Sequence, residues 1–227
     1  MNKEELNWNI EPWNTIHAIS ILAISILALI QENLSFLGYF GLITFTVFVL
    51  LNYKSLKNLR PFAGYANWAT GIRLIAFLLF LICLVDVNNT ILWLVVLNGI
   101  LILDIFDGYL ARKFNHATKF GQFFDMEVDA FWVCCMCLLY YIKFDIPWWI
   151  LLPGFLRYLY KLFLYLVPKP NFQESRKKYA AYIAGTFFVI LSSSILLNGI
   201  FLEIVLGLGS FLICASFAVS TVEYLRY

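Results

Sequence analysis

Charge is what this sequence has least of. Only 13% of its 227 residues are Asp, Glu, Lys or Arg, about half the share of a soluble domain. It holds two histidines, six prolines and six aspartates, while 62% of its residues are hydrophobic and 19% aromatic. A compact soluble chain of this size cannot hide so much apolar surface, because much of any small fold stays exposed. The shortage of polar residues therefore excludes an ordinary soluble globule, a disordered tail and a nucleic-acid-binding domain. An integral membrane protein with several spans remains. The net charge of +2 says little as a sum; the placement of the charges says more.

Cysteine is present without a framework. Cys83, Cys134, Cys135, Cys137 and Cys214 all lie in apolar runs. Neighbouring residues on a helix point about 100° apart, and no histidine stands near Cys134–Cys137 to complete a thiolate metal site. They read as small apolar helix residues, and nothing indicates disulfides.

Crossing the hydrocarbon core takes about 20 apolar residues. Eight segments qualify, at about 15–31, 36–52, 67–86, 91–111, 121–142, 147–166, 179–197 and 200–222. Polar breaks separate them, such as Gln31-Glu32-Asn33, Asp86-Val87-Asn88-Asn89 and Pro168-Lys169-Pro170. Trp148 and Trp149 fit an interfacial aromatic belt. Nearly all the basic residues outside the spans gather on one side, and Lys143 alone falls on the other. The positive-inside rule predicts that the basic side, with both chain ends, is cytoplasmic. Met1–Asn14 lacks a basic start and a small-residue cleavage site, so no cleavable signal is expected. Residues 53–66 alternate Lys54, Lys57 and Arg60 with Leu56, Leu59 and Phe62. That pattern suits either a short helix in the headgroup layer or a plain basic loop.

Four of the six aspartates sit where a membrane protein should have none: Asp104 and Asp107 near the cytoplasmic end of the fourth span, Asp125 and Asp129 in the first turns of the fifth. Each costs about 2.5–3.5 kcal/mol on insertion scales. Asp104 and Asp107 are three apart and Asp125 and Asp129 four apart, so each pair shares a helix face. Gly121, four before Asp125, and Gly108, beside Asp107, leave space where a ligand or backbone must come close. The short loop between the spans predicts antiparallel neighbours, which gathers the four carboxylates. Two divalent cations would balance them, and hard oxygen ligands suit magnesium or manganese. An ion or proton relay in a transporter is the other use of intramembrane aspartates. A relay has no evident need for Gly108, Ala111 and Gly121 at their spacings.

The run Asp104-Ile-Phe-Asp107-Gly108-Tyr-Leu-Ala111-Arg112, eight residues, then Gly121-Gln-Phe-Phe-Asp125-Met-Glu-Val-Asp129 resembles the pattern of the CDP-alcohol phosphatidyltransferase family, D-x2-D-G-x2-A-R-x8-G-x3-D-x3-D. Every fixed position matches. Asn67-Trp-Ala-Thr70-Gly-Ile-Arg73 is similar to the N-x2-T-x2-R that opens the first core helix of many members. The resemblance covers about 60–222, so residues 1–59 read as an N-terminal segment with an extra hairpin and 60–227 as the catalytic core. It implies an all-α, six-helix membrane core and transfer of a phospho-group from a CDP-activated lipid to an alcohol, with release of CMP. It implies metal positions at Asp104, Asp107, Asp125 and Asp129, with Asp129 as general base. Asn67, Thr70, Arg73, Gly108, Ala111, Arg112 and Gly121 match positions around the cytidine nucleotide. The expected donor is CDP-diacylglycerol or another CDP-alcohol, the expected assembly a homodimer among membrane lipids, and the site opens to the cytoplasm. Members that make phosphatidylglycerophosphate often read D-P-x-A-D-K after the conserved glycine, and serine-using ones D-S-x-x-D. Asp125-Met-Glu-Val-Asp129-Ala fits neither, which leaves the acceptor open.

Other charges carry weaker expectations. Arg157 and Lys161 share a face of the sixth span and either snorkel to the interface or hold an anionic group of the acceptor. Arg176, Lys177 and Lys178 serve as a topology signal or, as in members with phosphorylated acceptors, bind the acceptor phosphate. Glu127 points away from Asp125 and Asp129 and reads as a surface or interhelical carboxylate. His116 reads as a loop residue and His17 as a helix–helix hydrogen-bond partner.

Overall fold

The computed structural model describes residues 10–57, 64–87, 89–113, 119–168 and 178–226, with the side chains at 10–12, 55, 65–66, 104–113, 119 and 178 outside the described set. Among the described residues the chain is helical throughout, with no strand. The helices are α1 Ile10–Gln31, α2 Ser35–Leu51, α3 Tyr53–Lys57, α4 Tyr65–Leu79, α5 Thr90–Lys113, α6 Lys119–Lys143, α7 Leu151–Leu166, α8 Lys178–Ser193 and α9 Gly199–Arg226. A π-helical turn, Phe80–Leu84, extends α4; short 3-10 turns precede α7 and follow α8. Apart from the five-residue α3, the helices coincide with the eight predicted spans.

Four helical stretches have the length and apolarity to cross a bilayer: Trp13–Gln31, Asn67–Leu84, Tyr179–Leu196 and Gly199–Arg226. Ser35–Leu51 and Thr90–Leu103 are apolar but shorter. Large apolar side chains such as Ile16, Ile43, Ile72, Ile91, Phe201 and Phe211 lie exposed on the outer faces. In water such a surface would aggregate; in lipid it is the solvated one. The chain is an integral membrane helix bundle.

α6 is the axis of that bundle. It packs on α1, α4, α7 and α8, and its lower half is enclosed, with Cys134–Tyr140 fully buried. The small cysteines face α7 closely. A Cβ on Gly154 would stand 2.9 Å from the Cys137 Cβ and 3.4 Å from the Cys134 Cα. Tyr140 crosses to α8, where its hydroxyl donates to the Leu191 carbonyl at 2.8 Å. At the end of α6 that carries Lys143, this residue meets Asp86 at 3.1 Å.

The N-terminal hairpin is set into the bundle. α1 lies on α6 and α7, and α2 lies on α4 and the π-helical turn. Gly38 and Gly41 permit the approach: a Cβ would come within 2.6 Å of Ile82 Cγ1 at the first and 2.7 Å of Phe131 Cζ at the second. Inside the hairpin, Trp13 Nε1 donates to the Thr44 carbonyl at 3.1 Å and His17 Nδ1 pairs with Thr44 Oγ1 at 3.2 Å. In α3, Lys54 and Lys57 are exposed while Leu56 is buried, the amphipathic arrangement of an interfacial turn.

Candidate active site

α4 carries Asn67, Thr70, Arg73 and Phe77 at spacings of three, three and four, which put them on one face of the helix. Thr70, Arg73 and Phe77 are buried. Asp125 and Asp129 stand one turn apart on α6 and meet this face. Arg73 Nη2 donates to Asp125 Oδ1 and to Asp129 Oδ1, each at 2.9 Å. Charge-assisted bonds of this length are the strong kind. One guanidinium nitrogen thus ties two carboxylates that are 52 and 56 residues away in sequence. The carboxylates are less enclosed than the arginine, with the Asp125 side chain 30% exposed and that of Asp129 19%, so both are reachable by a ligand.

Arg73 and Asp129 form the polar end of a narrow cleft. Its walls are apolar: Phe77 from α4, Ile100 and Leu101 from α5, Val128 and Trp132 from α6, and Phe188 from α8. The short loop predicts that α5 and α6 lie side by side. Among the described residues α5 packs chiefly on α4 and α8, and α6 faces it across the cleft. Trp132 of α6 and Phe188 of α8 stack with centroids 4.5 Å apart at the wall of the cleft.

The opposite side of α6 has its own ion pair. Glu127 is fully buried, and its Oε1 accepts from Arg157 Nη2 at 2.9 Å and from Arg157 Nε at 3.3 Å. Three fully buried polar atoms near it, Glu127 Oε2, His17 Nε2 and Tyr158 Oη, have no hydrogen-bond partner among the described residues. The rings of His17 and Tyr158 lie 5.8 Å apart. Arg157 therefore points to Glu127 and away from the Asp125–Asp129 face. The sequence carried a signal for this: two opposite charges in mid-span on adjacent helices are expected to pair.

Gly121, half-buried, lies one turn before Asp125, and Lys161, half-buried, one turn after Arg157. Asp104, Asp107, Gly108, Ala111 and Arg112 belong to α5, but their side chains lie outside the described residues. Arg176, Lys177 and His116 also lie outside them. Among the described residues no group of three or more His, Cys, Asp or Glu converges as a metal site. The pair Asp125 and Asp129 still fits a divalent cation in kind: two carboxylates with hard oxygen donors, on one face, partly open.

Comparison with known proteins decides the lineage. The pattern of the family described as CDP-alcohol phosphatidyltransferase matches residues 64–222, which takes in α4 to α9 and every motif position above. The chain belongs to the CDP-alcohol phosphatidyltransferase family. Curated relatives named CDP-diacylglycerol--glycerol-3-phosphate 3-phosphatidyltransferase match over short stretches. That of Rickettsia typhi is 47% identical over 38 residues, 17% of this chain and 21% of its own length. That of Rickettsia bellii is 42% identical over 45 residues, 20% of this chain and 25% of its own. That of Salmonella choleraesuis is 40% identical over 53 residues, 23% of this chain and 29% of its own. These matches span less than a third of each relative. No solved structure matches this family member.

Proposed function

We propose that this protein is a phospholipid-synthesis transferase that moves a phosphatidyl group from CDP-diacylglycerol to an alcohol and releases CMP. The observation that carries the reading is the convergence of Asp125 and Asp129 on Arg73 at the polar end of an apolar cleft. Carboxylates beside apolar walls, inside a membrane bundle, suit a donor that joins a phosphate to a lipid. The relatives' printed names favour CDP-diacylglycerol as donor and put glycerol 3-phosphate first among acceptors. Positions 104 and 107 follow Ile100, a wall of the cleft, by four and seven residues in the same helix. That register favours their joining the two α6 carboxylates.

In this reaction the acceptor oxygen attacks the phosphorus that carries the diacylglycerol. The bond from that phosphorus to the CMP oxygen breaks, and CMP leaves with the electron pair. Asp129 takes the acceptor's hydroxyl proton, work for which a carboxylate must lie within hydrogen-bond reach. Arg73 fixes the rotamers of Asp125 and Asp129. Gly108, Ala111 and Gly121 leave room for the nucleotide, and Arg112 offsets the charge that grows on departing CMP. Asp104, Asp107, Asp125 and Asp129 would hold magnesium or manganese, two ions in all. When bound, they neutralise charge on the donor's phosphates.

The basic flank of the α3 turn supports a cytoplasmic mouth. Lys161, Arg176 and Lys177 are the residues through which a phosphorylated acceptor would be held. Homodimeric assembly rests on the family resemblance alone. The test is incubation of purified protein with radiolabelled CDP-diacylglycerol and a panel of glycerol 3-phosphate, inositol phosphate, serine and neutral alcohols, with lipid products identified by mass. A new phospholipid with one acceptor supports the reading; none with any acceptor refutes it.

A further inference from the structure

The N-terminal hairpin lies outside residues 64–222, the part that matches the family. Its first helix, α1, nevertheless packs on α6 and α7, the two helices of the rear ion pair. The polar residue it brings there is His17, which is 1% exposed. The ring is stacked on Trp13 with centroids 4.5 Å apart and on Phe40 with centroids 5.6 Å apart, and it meets Tyr158 edge-on at 5.8 Å. Its Nδ1 pairs with Thr44 Oγ1 at 3.2 Å. These contacts fix the ring and occupy one of its two nitrogens. The other, Nε2, is fully buried and has no partner among the described residues.

Glu127 is placed in the same way. Arg157 takes its Oε1, at 2.9 Å from Nη2 and 3.3 Å from Nε. Its Oε2 is fully buried without a partner among the described residues, and so is Tyr158 Oη. His17 and Tyr158 both lie within electrostatic reach of Glu127. With the Thr44 hydroxyl donating to Nδ1, the proton of a neutral imidazole sits on Nε2, ready to donate; a phenol also donates, and an ionised carboxylate only accepts. Three helices thus contribute one obligate acceptor and two donors. Leaving such groups unsatisfied is costly, most of all for a charged one, and native interiors close them on one another or through an ordered water.

Glu127 stands midway between Asp125 and Asp129 in sequence, on the other side of α6. A contact that fixes Glu127 therefore fixes the rotation of α6 and the direction in which both aspartates point. We propose that His17 and Glu127 form one hydrogen-bonded unit, which makes His17 a positioning residue for Asp125 and Asp129 and gives the N-terminal hairpin a part in the active site. The inference rests on the transferase reading above and adds to it a residue from outside the family core.

The experiment replaces the imidazole by two amides. In His17→Gln the amide reaches the place of Nε2; in His17→Asn it stays at the level of Nδ1. Both lose the aromatic ring. Glu127→Gln keeps an oxygen for Arg157 and turns the other carboxylate oxygen into a donor. Turnover is measured with CDP-diacylglycerol and the acceptor that the panel above identifies, well below the Tm of each variant. A misplacement of about 1 Å caused far from the chemistry can cost about 100-fold, and His17→Asn is expected to lose roughly 10-fold or more in kcat. His17→Gln, which keeps a polar group facing Glu127, is expected to stay within about 3-fold of the wild type, the worth of one weakened hydrogen bond. In the Glu127→Gln background His17→Asn should cost nothing further. Equal losses in the two His17 variants would mean that the ring acts through packing alone and would overturn the proposal. So would losses that simply add to that of Glu127→Gln. The Tm values of the wild type, His17→Asn, Glu127→Gln and the double variant form a second cycle that needs no turnover: non-additive shifts support the unit, and additive ones overturn it. A wild type inactive with every acceptor would instead strike at the transferase reading and take the positioning role with it, while the Tm cycle would still decide whether His17 and Glu127 are coupled.

Discussion

Glu127 and Arg157 form a buried ion pair on the side of α6 turned away from Asp125 and Asp129. Arg73 grips the other side. One helix is thus held by two arginines, one from α4 and one from α7, and its rotation about its own axis is fixed between them. The carboxylates that face the cleft are positioned by what lies behind them as well as by what they touch.

The first prediction concerns that rear pair. Glu127→Ala alone leaves the Arg157 charge buried without its partner, which typically costs about 3–5 kcal/mol. Replacing both, Glu127→Leu with Arg157→Met, removes the desolvation cost along with the attraction and should be close to neutral. Apparent Tm in detergent checks this: a large drop for the single variant and recovery for the double.

Close packing gives the second. A Cβ on Gly154 meets Cys137 and the α6 backbone, whereas one on Gly185 meets nothing within 4 Å. Gly154→Ala should destabilise by about 1–3 kcal/mol. Gly185→Ala should be neutral or slightly stabilising, because alanine is the better helix former. Thermal unfolding of the two variants side by side distinguishes them.

Arg73 gives the third. Arg73→Ala leaves Asp125 and Asp129 in place but frees their rotamers, and loss of a residue that orients ligating groups typically costs about 10- to 100-fold. Arg73→Lys should recover only part of this, since one ammonium lacks the flat fork of the guanidinium. Turnover measured across a magnesium titration should show half-saturation shifted to higher magnesium in both variants.

Orientation gives the fourth. In a background without the five native cysteines, cysteines placed at Lys57 and Lys178 should resist an impermeant thiol reagent in intact cells, and one at Asn89 should react. Reversed labelling would put the mouth of the site on the outer side.

Much of this was legible in the sequence. Lipid demands long apolar helices with internally satisfied backbones, so hydropathy located eight helices, with ends that differ by up to five residues. The aspartate pairs stood out because a carboxylate in a span has to be explained, and His17 makes the helix–helix bond expected of it. Long-range partners were harder to read. The contact from Arg73 to Asp129 joins residues 56 apart, and no local pattern announces which helix faces which. Gly38 and Gly41 looked like ordinary span residues until Ile82, Leu78 and Phe131 were seen against them. The match of His17 Nε2 to Glu127 Oε2 had no sequence signal, because only the fold brings α1 against α6.

The central claim is that a carboxylate cluster in the mouth of this cleft drives transfer from a CDP-lipid to an alcohol. Its most direct test is CMP release by purified protein from CDP-diacylglycerol with and without glycerol 3-phosphate, for the wild type, for Asp129→Asn and for the wild type in excess chelator. The account predicts acceptor-dependent release by the wild type, a loss of about 10²–10⁴ in rate for Asp129→Asn as expected for removal of a general base, and none in chelator. Undiminished release by Asp129→Asn, or full activity in chelator, would contradict it.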